Sequence, residues 1–341
     1  MRYDNDAQLD TSEVTDNRGE GGGSAGFGGG GLGGGGLGGG LLPLLIGFLF
    51  RGRSGKTSWV VIVVAIVGFV AVQYLGGGAG TSGQNQSVAG GFGDPGGPGR
   101  AGTAQLAQEC RTGADANSKL DCAVVADINS IQGYWSGGGY QQVARTARGA
   151  AARYQNVDTV FFTGSVNTRC GSADSSAGPF YCPGDKLVYI DLSFYDQLKS
   201  QFGAEGGPLV NAYVLAHEYG HHVQDLLGTE AKVRSRQGAA SDSVRLELQA
   251  DCYAGVWMNH ASQPSGGKPA LITDISQADL ASAVDAAQRI GDDYIQGKLG
   301  GGTVNPDSFT HGSSAQRTRW LTTGFTAGDA TRCDTFSAQT L

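Results

Sequence analysis

Two histidines and a glutamate lie close together in an arrangement that suits metal chemistry. His217, Glu218 and His221 form the pattern H-E-x-x-H. Residues 209–227 carry apolar side chains three to four positions apart, and this spacing predicts a helix that stops near Gly228. Residues four apart lie on the same face of a helix, so both imidazoles can reach one zinc ion at about 2.0–2.1 Å. Glu218 lies beside this pair and can contact a metal-bound water without binding the metal itself.

A catalytic zinc ion needs one more protein ligand, because such sites usually have three and leave a fourth position for water. Residues 242–259 predict a second helix, on which Glu247 and Asp251 lie four residues apart on one face. We expect Glu247 to be the third ligand of one zinc ion per chain. We expect Asp251 to accept a hydrogen bond from the other ring nitrogen of a ligand histidine, His217 above all. The alternative is a solvated acidic edge, and the strongly apolar surroundings of the pair argue against it.

The sequence resembles the bacterial neutral zinc metallopeptidase family over roughly residues 103–337. The segments that carry the resemblance are HEYGHHVQ, ELQADCYAG, TGSVNTRCG, GPFYCPGD and HGSSAQRTRW. More distantly, H-E-x-x-H followed by E-x-x-x-D is similar to the thermolysin-like gluzincins. The resemblance implies peptidase chemistry, with zinc held by His217, His221 and Glu247 and with Asp251 behind a histidine.

Other residues near these motifs have two interpretations each. In thermolysin-like sites a distal histidine stabilises the oxyanion, and His311 could do this, or it could make a structural hydrogen bond at a helix start. Arg317 is a weaker candidate for the same role, since such an arginine is more often an ion-pair partner. We expect Tyr219 to pack under the helix, and we expect His222, which points away from the metal, to be either structural or exposed. His260 ends a helix, where an imidazole suits the helix dipole, and we assign it no metal role.

All six cysteines lie after residue 100: Cys110, Cys122, Cys170, Cys182, Cys252 and Cys333. An even number in one segment predicts disulfides if that segment is exported, whereas free thiols are expected in the cytosol. We pair Cys110 with Cys122 and Cys170 with Cys182 on their similar spacing, which leaves Cys252 and Cys333 as the third pair. The sequence alone does not fix these pairings.

The first hundred residues contain 31 of the 59 glycines and too few apolar side chains to form a core. We therefore divide this part into four segments. They are a disordered glycine-rich tail (1–40), a short apolar run with a basic segment (41–58), a transmembrane helix (59–75) and a flexible tether (76–102).

The basic residues around the apolar run predict its orientation. Arg51, Arg53 and Lys56 precede the predicted transmembrane helix, and no basic residue follows it until Arg100. The positive-inside rule then places the N-terminus in the cytoplasm and everything after Leu75 outside. The sequence thus predicts a single-pass protein of the cell membrane with an extracytoplasmic catalytic domain, which favours disulfides.

For residues 103–341 we expect an α+β, zincin-like domain with a small sheet and active-site helices. Residues 159–166 and 186–194 are rich in β-formers and predict strands. Residues 187–191 are either the sheet edge that holds an extended substrate or a central strand. Residues 276–299 predict one amphipathic scaffold helix that begins with an S-x-x-D capping pattern.

The net charge of −7 argues against a nucleic-acid partner, which usually meets a basic surface. We therefore expect a peptide or protein substrate and hydrolysis of a peptide bond, with Glu218 as the general base. One alternative is a non-catalytic envelope protein whose zinc is structural. The other is an endopeptidase that cleaves peptidoglycan cross-bridges.

Overall fold

The computed structural model describes residues 1–18, 98–145, 147, 149–265 and 269–341. Three of the predicted segments lie wholly or mostly outside the described residues: the short apolar run with its basic segment (41–58), the transmembrane helix (59–75) and the tether (76–102). The same is true of residues 19–40 of the predicted disordered tail. Within the described ranges, no helix has both the length and the apolar character needed to span a bilayer.

The described residues form a mixed α and β fold, in agreement with the predicted class. The strands are β1 (Arg2–Tyr3), β2 (Val14–Asp16), β3 (Thr159–Phe162), β4 (Ser165–Thr168), β5 (Gly171–Asp174), β6 (Phe180–Cys182), β7 (Leu187–Asp191) and β8 (Ile272–Asp274). The helices are α1 (Pro98–Glu109), α2 (Gly113–Ala116), α3 (Leu120–Tyr134), α4 (Tyr140–Ala144), α5 (Phe194–Ser200), α6 (Pro208–Leu227), α7 (Asp242–His260), α8 (Gln277–Arg289), α9 (Asp292–Tyr294) and α10 (Ser314–Ala327). Two π-helical turns (Trp135–Gly139 and Ile295–Leu299) and five 3-10 turns (Thr11–Glu13, Ser175–Ala177, Thr229–Lys232, Pro306–Ser308 and Ala330–Cys333) complete the list of helical segments.

The four-stranded sheet has the order β2-β3-β7-β6. Strands β2, β3 and β7 are parallel, and β6 runs antiparallel to β7. Strand β7 therefore pairs on both sides, so residues 187–191 form a central strand and not the sheet edge. The edge strand nearest the zinc motif is β6. All four side chains of β3 are buried, as expected for a strand covered on both faces.

Two predicted elements are shorter than the sequence indicated. The predicted strand 159–166 divides after Phe162, and its last residues enter a separate hairpin of β4 and β5. The predicted helix 276–299 begins with the expected capping box at Ser276 and Asp279 but ends at Arg289. The break allows the following residues to turn toward the metal-binding motif.

The N-terminal residues fold against the rest of the protein, so the predicted disorder is wrong for residues 1–18. Strand β1 pairs with β8, and β2 pairs with β3. The side chains of Tyr3 and Val14 are 5% and 2% exposed. The Tyr3 hydroxyl also donates a hydrogen bond to the buried carboxylate of Asp127 at 2.8 Å. A short polar segment is ordered here because its few apolar side chains have partners far along the chain.

These contacts change the predicted domain boundaries. The domain includes residues 1–18, and its helical part begins at Pro98 and not at residue 103. Segments that pair as strands lie in the same compartment. A single crossing at 59–75 that leaves the N-terminus in the cytoplasm and the domain outside does not agree with this pairing.

Close contacts between helices position the site. Helix α6 has Pro208 in its first turn and is followed by Gly228 in a left-handed conformation, which are common start and stop signals. A Cβ atom on Gly220 would lie 3.0 Å from the Cα atom of Ala250, so glycine lets α6 approach α7 closely. On the other side of α7, a Cβ atom on Gly324 of α10 would lie 1.9 Å from the Cys252 carbonyl oxygen. No side chain fits there, and the backbones of α7 and α10 are in contact.

The three predicted disulfides are present. They are Cys110–Cys122, Cys170–Cys182 and Cys252–Cys333. The second holds β6, the edge strand, to the end of the β4–β5 hairpin. The third joins α7 to the C-terminal turn.

Candidate metal centre

The three predicted ligands converge. His217 and His221 project from α6, and Glu247 projects from α7. The Nε2 atom of His217 lies 3.2 Å from one carboxylate oxygen of Glu247, and Nε2 of His221 lies 3.6 Å from the other. One ligand atom from each residue lies within 4.8 Å of the other two. Two imidazole nitrogens and a carboxylate oxygen at this spacing are a donor set that suits a catalytic zinc ion, in which water usually takes the fourth position.

Each of the two ligand histidines is oriented by a hydrogen bond at Nδ1, the ring nitrogen that does not face the metal position. His217 Nδ1 lies 2.9 Å from Asp251 Oδ1, as predicted. His221 Nδ1 lies 2.9 Å from the side-chain oxygen of Gln224, a residue to which sequence reasoning assigned no role. Gln224 is itself fixed by a hydrogen bond from its amide to the Leu246 carbonyl at 2.7 Å. With both Nδ1 atoms engaged by acceptors, the Nε2 lone pairs are left for a metal.

The charges of the site reinforce one another. Burial opposes the ionisation of Glu247, but the imidazoles of His221 and His217 outweigh it and hold the Glu247 pKa well below its ordinary value. Burial alone would lower the pKa of His217, but Asp251 and Glu247 outweigh burial and raise that pKa to about 10. The carboxylates therefore favour a cation at this position, whether it is a proton or a metal ion.

Glu218 differs from Glu247 in its surroundings. Its side chain is 9% exposed, and one oxygen accepts a hydrogen bond from the Tyr181 backbone N–H at 3.0 Å. Burial raises the Glu218 pKa above its ordinary value, although His217 and His221 act in the opposite direction. A carboxyl group whose pKa is shifted toward neutrality suits proton transfer. The two glutamates therefore suit different roles, one as a ligand and one as a base.

His311 lies close enough to interact electrostatically with Glu247. Its position depends on Asp292, which sequence reasoning missed. One oxygen of Asp292 accepts hydrogen bonds from the backbone N–H groups of Thr310, His311 and Gly312 at 2.7, 2.7 and 2.9 Å. The other oxygen lies 3.5 Å from His311 Nδ1. The only local signal was the Gly-Asp-Asp sequence that interrupts the predicted helix.

The remaining candidates lie away from the metal-binding face. Arg317 donates a hydrogen bond to Asp251 at 2.9 Å, so it is an ion-pair partner behind His217 and not an oxyanion group. His222 contacts the Tyr181 hydroxyl and the Gln155 carbonyl, and His260 contacts the Gly328 carbonyl. Tyr219 is buried and hydrogen-bonded to Thr159. These contacts agree with the structural roles predicted for His222, His260 and Tyr219.

Comparisons with known proteins identify the family of this chain. A family described as "Putative neutral zinc metallopeptidase" matches residues 1–336, which includes the N-terminal strands. The chain is 48% identical over 237 residues to the uncharacterized protein Rv2575 of Mycobacterium tuberculosis, covering 68% of this chain and 76% of that one. It is 50% identical over 189 residues to the uncharacterized protein YpfJ of Escherichia coli, covering 54% of this chain and 62% of that one. No solved structure matches the chain. The chain belongs to this family of zinc metallopeptidases.

Proposed function

We propose that the protein hydrolyses peptide bonds at one zinc ion held by His217, His221 and Glu247. The observation that carries the proposal is the convergence of these three ligands beside Glu218. Glu218 is a buried carboxyl group and is not itself one of the three ligands. A structural zinc site has no use for such a base. The proposal therefore favours catalysis over a purely structural role.

The side chains divide the work as follows. Zinc, when bound, would polarise the scissile carbonyl and lower the pKa of a water molecule. Glu218 accepts the proton of the attacking water and later delivers it to the leaving amine. His311, held by Asp292, donates a hydrogen bond to the oxygen on which negative charge develops.

The edge strand β6 is the best candidate for holding the substrate. Among the strands of the described residues it pairs only with β7, and the Tyr181 backbone on its other side faces Glu218. An extended peptide that adds to this edge would pass beside the proposed base. The substrate class is accordingly a peptide or an unfolded segment of a protein.

We also propose that the domain is extracytoplasmic. Its three disulfides support this location, because disulfides are rare in the cytosol. Residues 1–18 would lie on the same side, since they are part of the domain. Attachment of the domain to the cell membrane is part of the proposal, but a single crossing at residues 59–75 is not, because it would separate residues 1–18 from the strands with which they pair.

The test uses the purified full chain. We expect about one zinc per chain and cleavage of casein that stops when zinc is removed with a chelator. Glu218→Gln should keep its zinc and lose about 10²–10⁴-fold in rate, whereas Glu247→Ala should lose the metal. Zinc without cleavage of casein or purified peptidoglycan would point to a structural site. Cleavage of peptidoglycan alone would point to the cell wall, and an active Glu218→Gln protein would refute the mechanism.

A further inference from the structure

We propose that Arg317 is a positioning residue that fixes the orientation of the zinc ligand His217 by acting through Asp251. The inference rests on the proposed zinc site and adds a residue that touches neither the metal ligands nor the substrate. It concerns a contact between three helices that are separate in the sequence, α6, α7 and α10.

A single oxygen atom joins these helices. Oδ1 of Asp251 accepts hydrogen bonds from three donors: His217 Nδ1 at 2.9 Å, the Tyr213 hydroxyl at 2.6 Å and Arg317 Nη2 at 2.9 Å. The same Arg317 nitrogen also donates to the Tyr213 hydroxyl at 3.2 Å. The carboxylate is therefore held from two sides while it orients the imidazole.

Burial makes the positive charge of Arg317 necessary. Asp251 is 0% exposed and Arg317 is 3% exposed. A buried carboxylate without a cation is strongly destabilised. A metal-bound histidine is neutral and Tyr213 carries no charge, so among the described contacts of Asp251 only Arg317 supplies a full positive charge. Without it, we expect the carboxylate to rotate toward other donors or water and to release His217.

An arginine suits this position better than a lysine. One guanidinium nitrogen, Nη2, reaches both Asp251 and Tyr213. The guanidinium group is also more weakly hydrated than an ammonium group and keeps its charge when buried, whereas a buried lysine can lose its proton. The close backbone contact of Gly324 with Cys252 brings α10 near enough for this reach. The packing of α10 on α7 is thus the structural basis of the orientation of His217.

The experiment measures the zinc dissociation constant of the full chain by chelator competition at one fixed pH. We expect Arg317→Met to weaken zinc binding about 10–100-fold, which is the usual effect of losing a partner behind a metal ligand. Arg317→Lys should restore part of the loss. The control is Trp320→Leu, which removes a buried side chain one turn away on the same helix. It should lower the unfolding temperature without changing the zinc dissociation constant.

A double-mutant cycle with Asp251→Asn separates positioning from general stability. When position 251 is neutral, the carboxylate that Arg317 would hold in place is already gone, so Arg317→Met should then have little further effect on zinc binding. Arg317→Met also removes the buried guanidinium that Asp251→Asn leaves without a counter-ion. Equal losses from Arg317→Met and Trp320→Leu, or full additivity with Asp251→Asn, would overturn the inference. If Arg317→Met does not fold, Arg317→Lys and the double variant still decide. A wild-type protein that binds no zinc would instead refute the proposed function.

Discussion

The N-terminal strands offer the sharpest test of the fold, because the sequence predicts disorder where the structure places a buried tyrosine. Tyr3 is 5% exposed, and its hydroxyl donates to Asp127, whose other oxygen has no hydrogen-bond partner among the described residues. Burial raises the Asp127 pKa well above its ordinary value, and the Tyr3 hydrogen bond opposes this rise. Tyr3 therefore contributes both packing and the hydrogen bond that Asp127 receives.

The expected losses follow from these two contributions. Replacing a buried aromatic side chain by alanine costs about 3–5 kcal/mol. For a domain of this size, such a loss lowers the unfolding temperature by roughly 6–20 °C. Tyr3→Phe keeps the ring but leaves the Asp127 carboxylate without a donor, at a cost of about 1–3 kcal/mol.

Thermal unfolding of the full chain, followed by circular dichroism, measures these differences. The matched control is Arg2→Ala, because the Arg2 side chain is exposed and its loss should change stability by less than about 0.5 kcal/mol. If Tyr3→Ala unfolds at the same temperature as Arg2→Ala, residues 1–18 are not docked on the domain. Their shared compartment with the domain would then no longer follow.

Two further predictions concern the metal site and the helix contacts. Although burial acts against it, Asp251 and Glu247 raise the pKa of His217 to about 10. At any pH below this pKa, zinc must displace a proton from His217 in order to bind. For one displaced proton, the zinc affinity should rise about tenfold for each unit by which the pH increases. A zinc dissociation constant that stays the same between about pH 6 and pH 8, where histidines ordinarily titrate, would contradict this charge arrangement. Gly324→Ala should destabilise the protein by at least about 1–3 kcal/mol, because the new Cβ atom would meet the Cys252 carbonyl oxygen at 1.9 Å. Gly133→Ala, where a Cβ atom meets nothing within 4 Å, should instead be neutral or stabilising by up to about 1 kcal/mol in urea unfolding.

Local spacing was enough to predict the centre of the site. The helix that carries His217 and His221 follows from apolar residues three to four positions apart, and a glycine marks its end. The same helical spacing placed Glu247 and Asp251 on one face of α7. Such features depend on neighbouring residues, so they can be predicted without knowing the fold.

Contacts between distant segments could not be predicted in the same way. Strand β7 became central because β3 and β6 both pair with it, and a strand's own sequence does not state how many partners it has. Asp292 supports His311 only because a predicted helix breaks and turns back.

The sequence by itself determined the ligand types, their spacing on two helices and the short-range disulfide candidates. Only the tertiary structure decided that residues 1–18 belong to the domain and that Arg317 lies behind Asp251. The physical reason is that burial and charge compensation arise when segments far apart in the chain meet. Asp251 needs a cation only in a dry environment, and that environment exists only after α6, α7 and α10 have packed.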